Sequence, residues 1–377
     1  MMRLQADEYI NKYHIHMSYN INYYPVTRIK ELEARWRELE KGEEMTWFQR
    51  YSWYEKLAAI NGAQYKNHEI VFAEVRHGQT DETLLIAPLW IVKRTFRLLN
   101  RKGAYFFGHQ GWNDYNNLVY KEFTPPISEA FIALMNDLKR LYGITYWQLE
   151  RIRETTSFCR WIEANSAMFQ MERQTRSICV ALDLPETYDE WWKMLSKSAR
   201  QNIRTAGNRM KKDGVEVTFN PDDKYVDMAQ FTLWRNKRVA DKNAVRIRSM
   251  ADFKEGAKMA ILKRTRFYFP EYTPFEGEFR AETRIATLCH NDTLIAAFCY
   301  GYDEVRRRIL VVAVSINEDY HRYSPGIELF RRFIEHCIDG KKIRTIDFTR
   351  GNEKYKYTLG GSEHYNRQYR FRYVGKA

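Results

Sequence analysis

Thr345-Ile346-Asp347-Phe348-Thr349-Arg350-Gly351-Asn352-Glu353-Lys354-Tyr355-Lys356 is the stretch on which this chain turns. It begins as a strand and ends in a dense cluster of Asp, Arg, Glu, Tyr and Lys, with Gly351 permitting a sharp backbone turn. Charged residues at the carboxyl end of a strand line sites in α/β folds. The same residues also suit a solvated loop with incidental ion pairs. Upstream, Ile309-Leu310-Val311-Val312-Ala313-Val314 is almost purely apolar, the pattern of a central strand buried on both faces. After it comes Tyr323-Ser324-Pro325-Gly326-Ile327, where Ser suits a helix cap, Pro its first position, and Gly removes a side chain beside exposed amides. Free N–H groups and the macrodipole at a helix start favour an anion such as a diphosphate. Read alone, the turn also suits an ordinary capped helix. Phe330, Phe333, Ile334, Cys337 and Ile338 give that helix one buried face.

Further outward, helical spacing predicts helices over 26–39 and 45–60, followed by a meander of strands at 69–75, 84–92, 104–108 and 117–120. Pro125-Pro126 starts a helix, and Gly143 precedes a strand at 144–149 and a helix at 158–164. A similar order then recurs. A strand at 177–182 leads to helices at 187–195 and 198–212, a strand at 215–219, and helices at 228–239 and 253–264. Strands at 284–288, 294–302 and 309–314, the helix at 325–339, and strands at 345–348 and 368–373 complete it. The expectation is an α/β (α+β) protein of two tandem units, each a mixed, mainly antiparallel sheet flanked by helices, divided as 1–172 and 173–377.

At 377 residues, length alone favours two domains, and 44% hydrophobic content supports packed cores. Lys plus Arg number 61 against 48 acidic residues, and the net +13 favours an anionic ligand or surface. Five dispersed cysteines without a CxxC read as reduced core residues. The polar N-terminal stretch lacks a signal-peptide core, and no run reaches transmembrane length, so a cytoplasmic protein is expected, with peripheral contact at the inner membrane face left open. His14 and His16 have no carboxylate or cysteine motif beside them and read as a surface tail, and no metal site is expected. The absence of GxSxG and of GxxxxGK[ST] argues against a serine hydrolase and a P-loop enzyme.

Between Lys193 and Lys212 no acidic residue interrupts Lys197, Arg200 and Arg204, which flank an apolar stripe of Ala199, Ile203, Ala206 and Met210. An anion is the natural partner: the acceptor's phosphates, a nucleotide phosphate, an anionic membrane or tRNA. A solvated basic face is the plain alternative.

The SPG-helix followed by a strand bearing DF-x-R-G-x-E-x-YK resembles the acetyltransferase domain of the CelD (cellulose-biosynthesis) family, a branch of GNAT. Trp47-Phe48-Gln49 with Trp53, Ala87-Pro88-Leu89, Asn113-Asp114-Tyr115 and Leu195-Ser196-Lys197-Ser198-Ala199-Arg200 extend the likeness from about Trp47 to Gly361. One departure stands out: the usual R/Q-x-x-G-x-G/A phosphate loop keeps a single glycine, Gly326. The resemblance implies a tandem GNAT-like fold, also found in the Fem aminoacyl transferases. It also implies acetyl-CoA or another acyl-CoA as co-substrate, no metal, and a small-molecule amine or glycan precursor as acceptor. An aminoacyl-tRNA donor, and a non-catalytic module for anionic glycans, are the alternatives; nucleic acid enters only as that tRNA. Val314, Tyr323, Ser324, Pro325, Gly326 and Ile327 would hold the donor. Asp347 or Glu353 would act as base or acceptor anchor, Tyr355 as acid, and Arg350 would organise the carboxylates. Gln49, Asp114, Tyr115, Lys197, Arg200, Arg204 and Lys356 complete the candidates for substrate contact.

Overall fold

Pro125 and Pro126 open a helix that Gly143 closes in the left-handed conformation at φ 60°, burying Ile127, Phe131, Leu134 and Leu138 along one stripe. Sequence pattern becomes structure in this way along most of the chain. The computed structural model describes residues 18–60, 68–93, 101–108, 113–244 and 282–375. In order they form β1 (Tyr19–Pro25), α1 (Glu33–Leu39), α2 (Tyr51–Ile60), β2 (His68–His77), β3 (Thr83–Val92), β4 (Gly103–Phe106), α3 (Pro125–Tyr142), β5 (Tyr146–Arg153) and α4 (Ser157–Ala164). Then follow β6 (Phe169–Asp183), α5 (Tyr188–Met194), α6 (Lys197–Lys212), β7 (Thr218–Asn220), α7 (Met228–Ala244), β8 (Arg284–His290), β9 (Thr293–Asp303) and β10 (Arg308–Ile316). The chain closes with α8 (Pro325–Gly340), β11 (Thr345–Arg350), α9 (Lys354–Thr358) and β12 (Ser362–Tyr373).

The twelve strands among the described residues join one mixed sheet in the order β1-β2-β3-β4-β5-β12-β6-β11-β10-β9-β8-β7. Pairing is antiparallel except between β4 and β5 and between β10 and β11. The fold is therefore mixed α/β with two similar strand series, as the recurring pattern implies. The division at 172/173 cuts β6 near its start. That strand runs unbroken and pairs along its length with β12, which also pairs with β5. Each side keeps its own apolar core, one around Trp36, Phe48, Trp53 and Trp147 and the other around Phe298, Phe330, Phe333 and Phe348.

Some elements differ from the sequence reading. β1 was not foreseen, because its asparagines weaken strand propensity and its residues are never fully buried. Instead of a strand, 117–120 makes a single bridge from Val119 to Ile86. α9, a little over one turn, is too short for periodicity to announce. The helix expected at 253–264, His14 and His16 lie outside the described residues.

The seam between the strand series is tightly built. Gly301 on β9 faces the indole of Trp47, and a Cβ there would lie 2.3 Å from Trp47 Cδ2. Arg306, paired with the fully buried Asp303 at 3.0 Å, donates to the backbone carbonyls of Glu40 and Glu43. Gly301→Ala should therefore overpack the seam and cost about 1–3 kcal/mol, read as a lower urea midpoint. An unchanged midpoint would show that Trp47 does not fix the contact.

Candidate active site

β10 and β11 pair in parallel only at Arg308–Thr345, Ile309–Ile346 and Leu310–Asp347, and then part. β10 bulges between Val311 and Ala313, while β11 shifts register against β6 between Asp347 and Arg350. Within that shift Thr349 sits at φ 56°, followed by Gly351 at φ 106°, left-handed backbone of the kind that gathers at functional sites. Three side-chain arrangements hold it. Thr349 Oγ1 donates to the Val311 carbonyl at 2.9 Å. Lys356, 2% exposed, donates from Nζ to the carbonyls of Arg350 (2.8 Å), Gly351 (3.1 Å) and Thr349 (3.3 Å). The same ammonium pairs with Glu353 at 3.0 Å, which offsets the cost of burying its charge.

The parting opens a two-part cleft. One cavity of about 160 Å³ lies between Val311–Val314 and Phe348–Arg350, with Arg235, Glu353, Tyr355 and Lys356 on its walls. The other, of similar volume, is lined by Val314, Ile316, His321, Phe330, Tyr355 and the turn Ser324–Ile327. Val314 and Tyr355 border both. The Tyr355 ring lies stacked on Phe330, centroids 5.5 Å apart, with Phe348 against its edge. Tyr323 is buried beside the turn, its hydroxyl donating to Asp213.

The expectation that Ser324 caps α8 is corrected: it adopts the left-handed conformation at φ 51°, and its side chain makes no capping bond. Backbone bonds close the turn instead, from Ser324 N to His321 O (3.0 Å) and from Ile327 N to Ser324 O (2.9 Å). A Cβ on Gly326 would come within 2.9 Å of Ile316 Cδ1, so the glycine lets the helix start sit against the end of β10. Pro325 has no N–H and the Ile327 amide is bonded to Ser324 O, so the Gly326 amide, at the border of the second cavity, is the first-turn donor that an anion there would meet.

Asp347 points away from α8, toward the first strand series. It is 2% exposed, and its Oδ1 accepts from Tyr115 Oη (2.7 Å) and the Thr349 amide (2.8 Å). Burial, then the charge of Asp347, raise Tyr115 well above its ordinary pKa, so the phenol keeps its proton. Tyr115 Oη also lies 2.9 Å from His364 Nε2. With the phenol proton given to Asp347, the network assigns a proton to that imidazole nitrogen. Beside it, Asp114 pairs with Arg350 at 2.6 Å. Burial would raise the Asp114 carboxyl, but Arg350 and Arg151 hold it below its ordinary value.

The other candidates separate by place. Gln49 is buried: its Oε1 accepts from Thr46 N and Oγ1, and its Nε2 donates to the Tyr115 carbonyl at 2.9 Å. Thr46 and Gln49 form a capping box, a signal visible in the sequence as T-x-x-Q but not used above. Lys197, Arg200 and Arg204 lie on α6 outside the cleft walls. Arg204 reaches over the Trp192 ring at 5.2 Å and borders a separate groove of about 680 Å³ between α6 and α8. Thr349, His364 and Arg235 were not singled out from sequence. Nothing in a strand or helix pattern marks them, because their places depend on which elements become neighbours.

Burial pushes His364 below 6.5; Asp347 opposes the shift, and Arg153 and Arg308 reinforce it. Below pH 6.5 the unfolded chain then binds a proton that the folded chain refuses. Stability falls as pH drops from 6.5 to the folded pKa and is level below it. His364→Gln should flatten this part of the profile, compared by urea unfolding at about pH 7.5 and about pH 5. An equally steep fall in the variant would assign the effect to other groups.

Comparison with known proteins places this geometry. No curated protein matches the sequence. The crystal structure of FemX is similar at a TM-score of 0.54 and 10% identity, over 92% of this chain and 96% of that one. A tandem GNAT protein from the clavulanic acid biosynthesis pathway is similar at 0.47 and 10% identity, over 96% of this chain and 100% of that one. At such identity the likeness to FemX is one of fold. Residues 197–357 match the family described as acetyltransferase (GNAT) domain. The parted strands, the α8 helix start and the Asp347–Lys356 cluster thus lie within the segment that matches the acetyltransferase (GNAT) domain family.

Proposed function

We propose that this chain is an acyl-CoA-dependent N-acyltransferase, in finer terms an N-acetyltransferase, acting on an amine of an amino sugar or a cell-envelope or exopolysaccharide precursor. The observation that carries the donor is the two-part cleft. β10 ends its pairing with β11 at Leu310, its next residues Val311–Val314 line the cleft where an extended amide-bearing arm would lie, and the α8 helix start suits a diphosphate. The acceptor class rests on the CelD-like motifs around Asp347 and Tyr355. The activity belongs in the cytoplasm, at or near the inner membrane face; none of the described helices is long and apolar enough to cross a membrane.

In the reaction, the acceptor nitrogen attacks the thioester carbon, the C–N bond forms and the C–S bond breaks. Glu353, on the cleft wall, takes the proton lost by nitrogen. Tyr355, which borders both cavities, gives its proton to the departing thiolate. Asp347, held by Tyr115 and Thr349, positions the turn and the acceptor side. Lys356 keeps Thr349–Gly351 in the left-handed path that opens the cleft.

A second reading uses aminoacyl-tRNA as donor. It is favoured by α6, where Lys197, Arg200, Arg204, Lys211 and Lys212 have no carboxylate partner among the described residues. Heat denaturation with acetyl-CoA, longer acyl-CoAs and charged tRNA separates the two. Saturating acyl-CoA should stabilise the protein by about 2.7 kcal/mol at a hundredfold excess over Kd. Gly326→Val, which fills the second cavity, should abolish that gain. Stabilisation by tRNA and by no acyl-CoA would replace the first reading with the second.

A further inference from the structure

The sheet face turned toward the first strand series gathers, around Asp347, polar side chains that the chemistry above does not use. Register partners share a face: Arg153 with Asn366, Asn366 with Ser177, His364 with Cys179, and Asp347 with Ala181 and Leu310. Alternation along β10 adds Arg308 to the face of Leu310. β5, β12, β6, β11 and β10 therefore present Arg153, Asn366, Ser177, His364, Asp347 and Arg308 together, with Tyr115 laid across them.

This face is not internally satisfied. Arg153 Nε, Arg308 Nε, Ser177 Oγ and Asn366 Oδ1 are buried atoms without a hydrogen-bond partner. Buried polar atoms are nearly always paired, with protein, water or ligand, so four in one patch is a concentration that calls for a partner. Among the described residues neither guanidinium has a carboxylate ion pair. Arg153 lies over the Tyr115 ring, 5.8 Å from its Cζ. On the same sheet Arg367 is paired with Glu154 and Glu163, and the buried Arg151 of β5 donates to the Asn113 carbonyl. Asp347 Oδ1 is taken by Tyr115 and the Thr349 amide, and no ion pair within 4 Å joins Asp347 to Arg153. Cys179 stays a neutral thiol, pushed up to about 12 by burial. Burial, and then the charge of Arg308, depress the Arg153 guanidinium, with Asp347 among the groups that oppose the shift.

We infer that this patch is an anion-binding subsite in which Arg153 and Arg308, with Ser177 and His364 beside them, take a carboxylate or phosphate group. Leu310 and Asp347 are the last paired residues before β10 and β11 part, so the subsite adjoins the root of the cleft. Arg153 comes from β5 of the first strand series and Arg308 from β10 of the second, so neither series completes it alone. On the acyltransferase reading, on which this identification of the ligand rests, the anion is part of the acceptor. The substrate is then an amine that also carries a carboxylate or phosphate, anchored by charge while its nitrogen reaches the thioester. Guanidinium forks bind both groups in two-point fashion, which is why the two sources share one site.

The test uses the full chain without acyl-CoA. Inorganic phosphate, pyrophosphate and succinate are titrated separately while the His364 ring is followed by NMR and the heat-denaturation midpoint is recorded. Binding beside His364 should raise its apparent pKa and give a saturable rise in midpoint. Response to phosphate or pyrophosphate alone identifies a phosphorylated acceptor, and response to succinate alone a carboxylate. Arg153→Met should abolish the His364 response, Arg308→Met should weaken it at least tenfold, and Arg153→Lys should keep part of it. If Arg153→Met fails to fold, the half-buried Arg308 carries the test. The proposal is overturned if no anion moves His364, or if the arginine variants respond as the parent does; a midpoint rise common to all variants is then a general salt effect or binding at α8. Loss of this response with acyl-CoA stabilisation intact would leave the donor reading standing. The reverse result would keep the subsite and remove its acceptor label.

Discussion

Two parallel strands that pair for a few residues and then part leave backbone donors and acceptors that something must satisfy, and the structure is organised around that requirement. It arises twice. β4 and β5 pair only at Ala104–Trp147 and Tyr105–Gln148, and β10 and β11 only at their first three positions. Arg151 follows Trp147 at the same interval as Thr349 follows Thr345, and both are left-handed, at φ 63° and 56°. The repeat is thus written in the backbone where the side chains have diverged.

The two partings are resolved differently. In the first series the gap is filled by the chain itself. The Asn116 amide donates to the Arg151 carbonyl at 2.9 Å, Asn116 Nδ2 to the Glu150 carbonyl at 3.0 Å, and the Arg151 guanidinium to the Asn113 carbonyl. In the second, Thr349 and Lys356 satisfy the turn from its sides, so the space between the strands stays open. The filling segment has a second consequence. It carries Asp114 and Tyr115 across the seam onto Arg350 and Asp347, so closure of one gap shapes the wall of the other. A buried network of this kind is favourable only when its members are fully paired, which ties the site to the β5–β12–β6 ladder that sets its geometry.

Much of this was legible in the sequence. The apolar run of β10, the Ser-Pro-Gly turn and the charged end of β11 locate the cleft, because strand burial and helix starts are local properties. The tandem α/β architecture follows from the order of helices and strands. What the sequence withheld is long-range. β12 lying beside β5 is a pairing across the chain, and with it come His364 and Arg153, residues with no local motif. Lys356 illustrates the limit from the other side. As one of several charges in a cluster it reads as a substrate contact, whereas its ammonium faces three backbone carbonyls that only the left-handed turn brings together. Ser324 reads as a cap by residue type, but its left-handed backbone leaves closure of the turn to main-chain bonds.

The central claim is that the parted edge of β10 and the start of α8 together hold the acyl donor. Amide hydrogen exchange, compared with and without coenzyme A, examines those backbone groups directly. The account predicts slower exchange across Val312–Val314 and Gly326–Ile327, residues that line the two cavities. Unchanged exchange in both segments, or protection confined to the groove between α6 and α8, would contradict it.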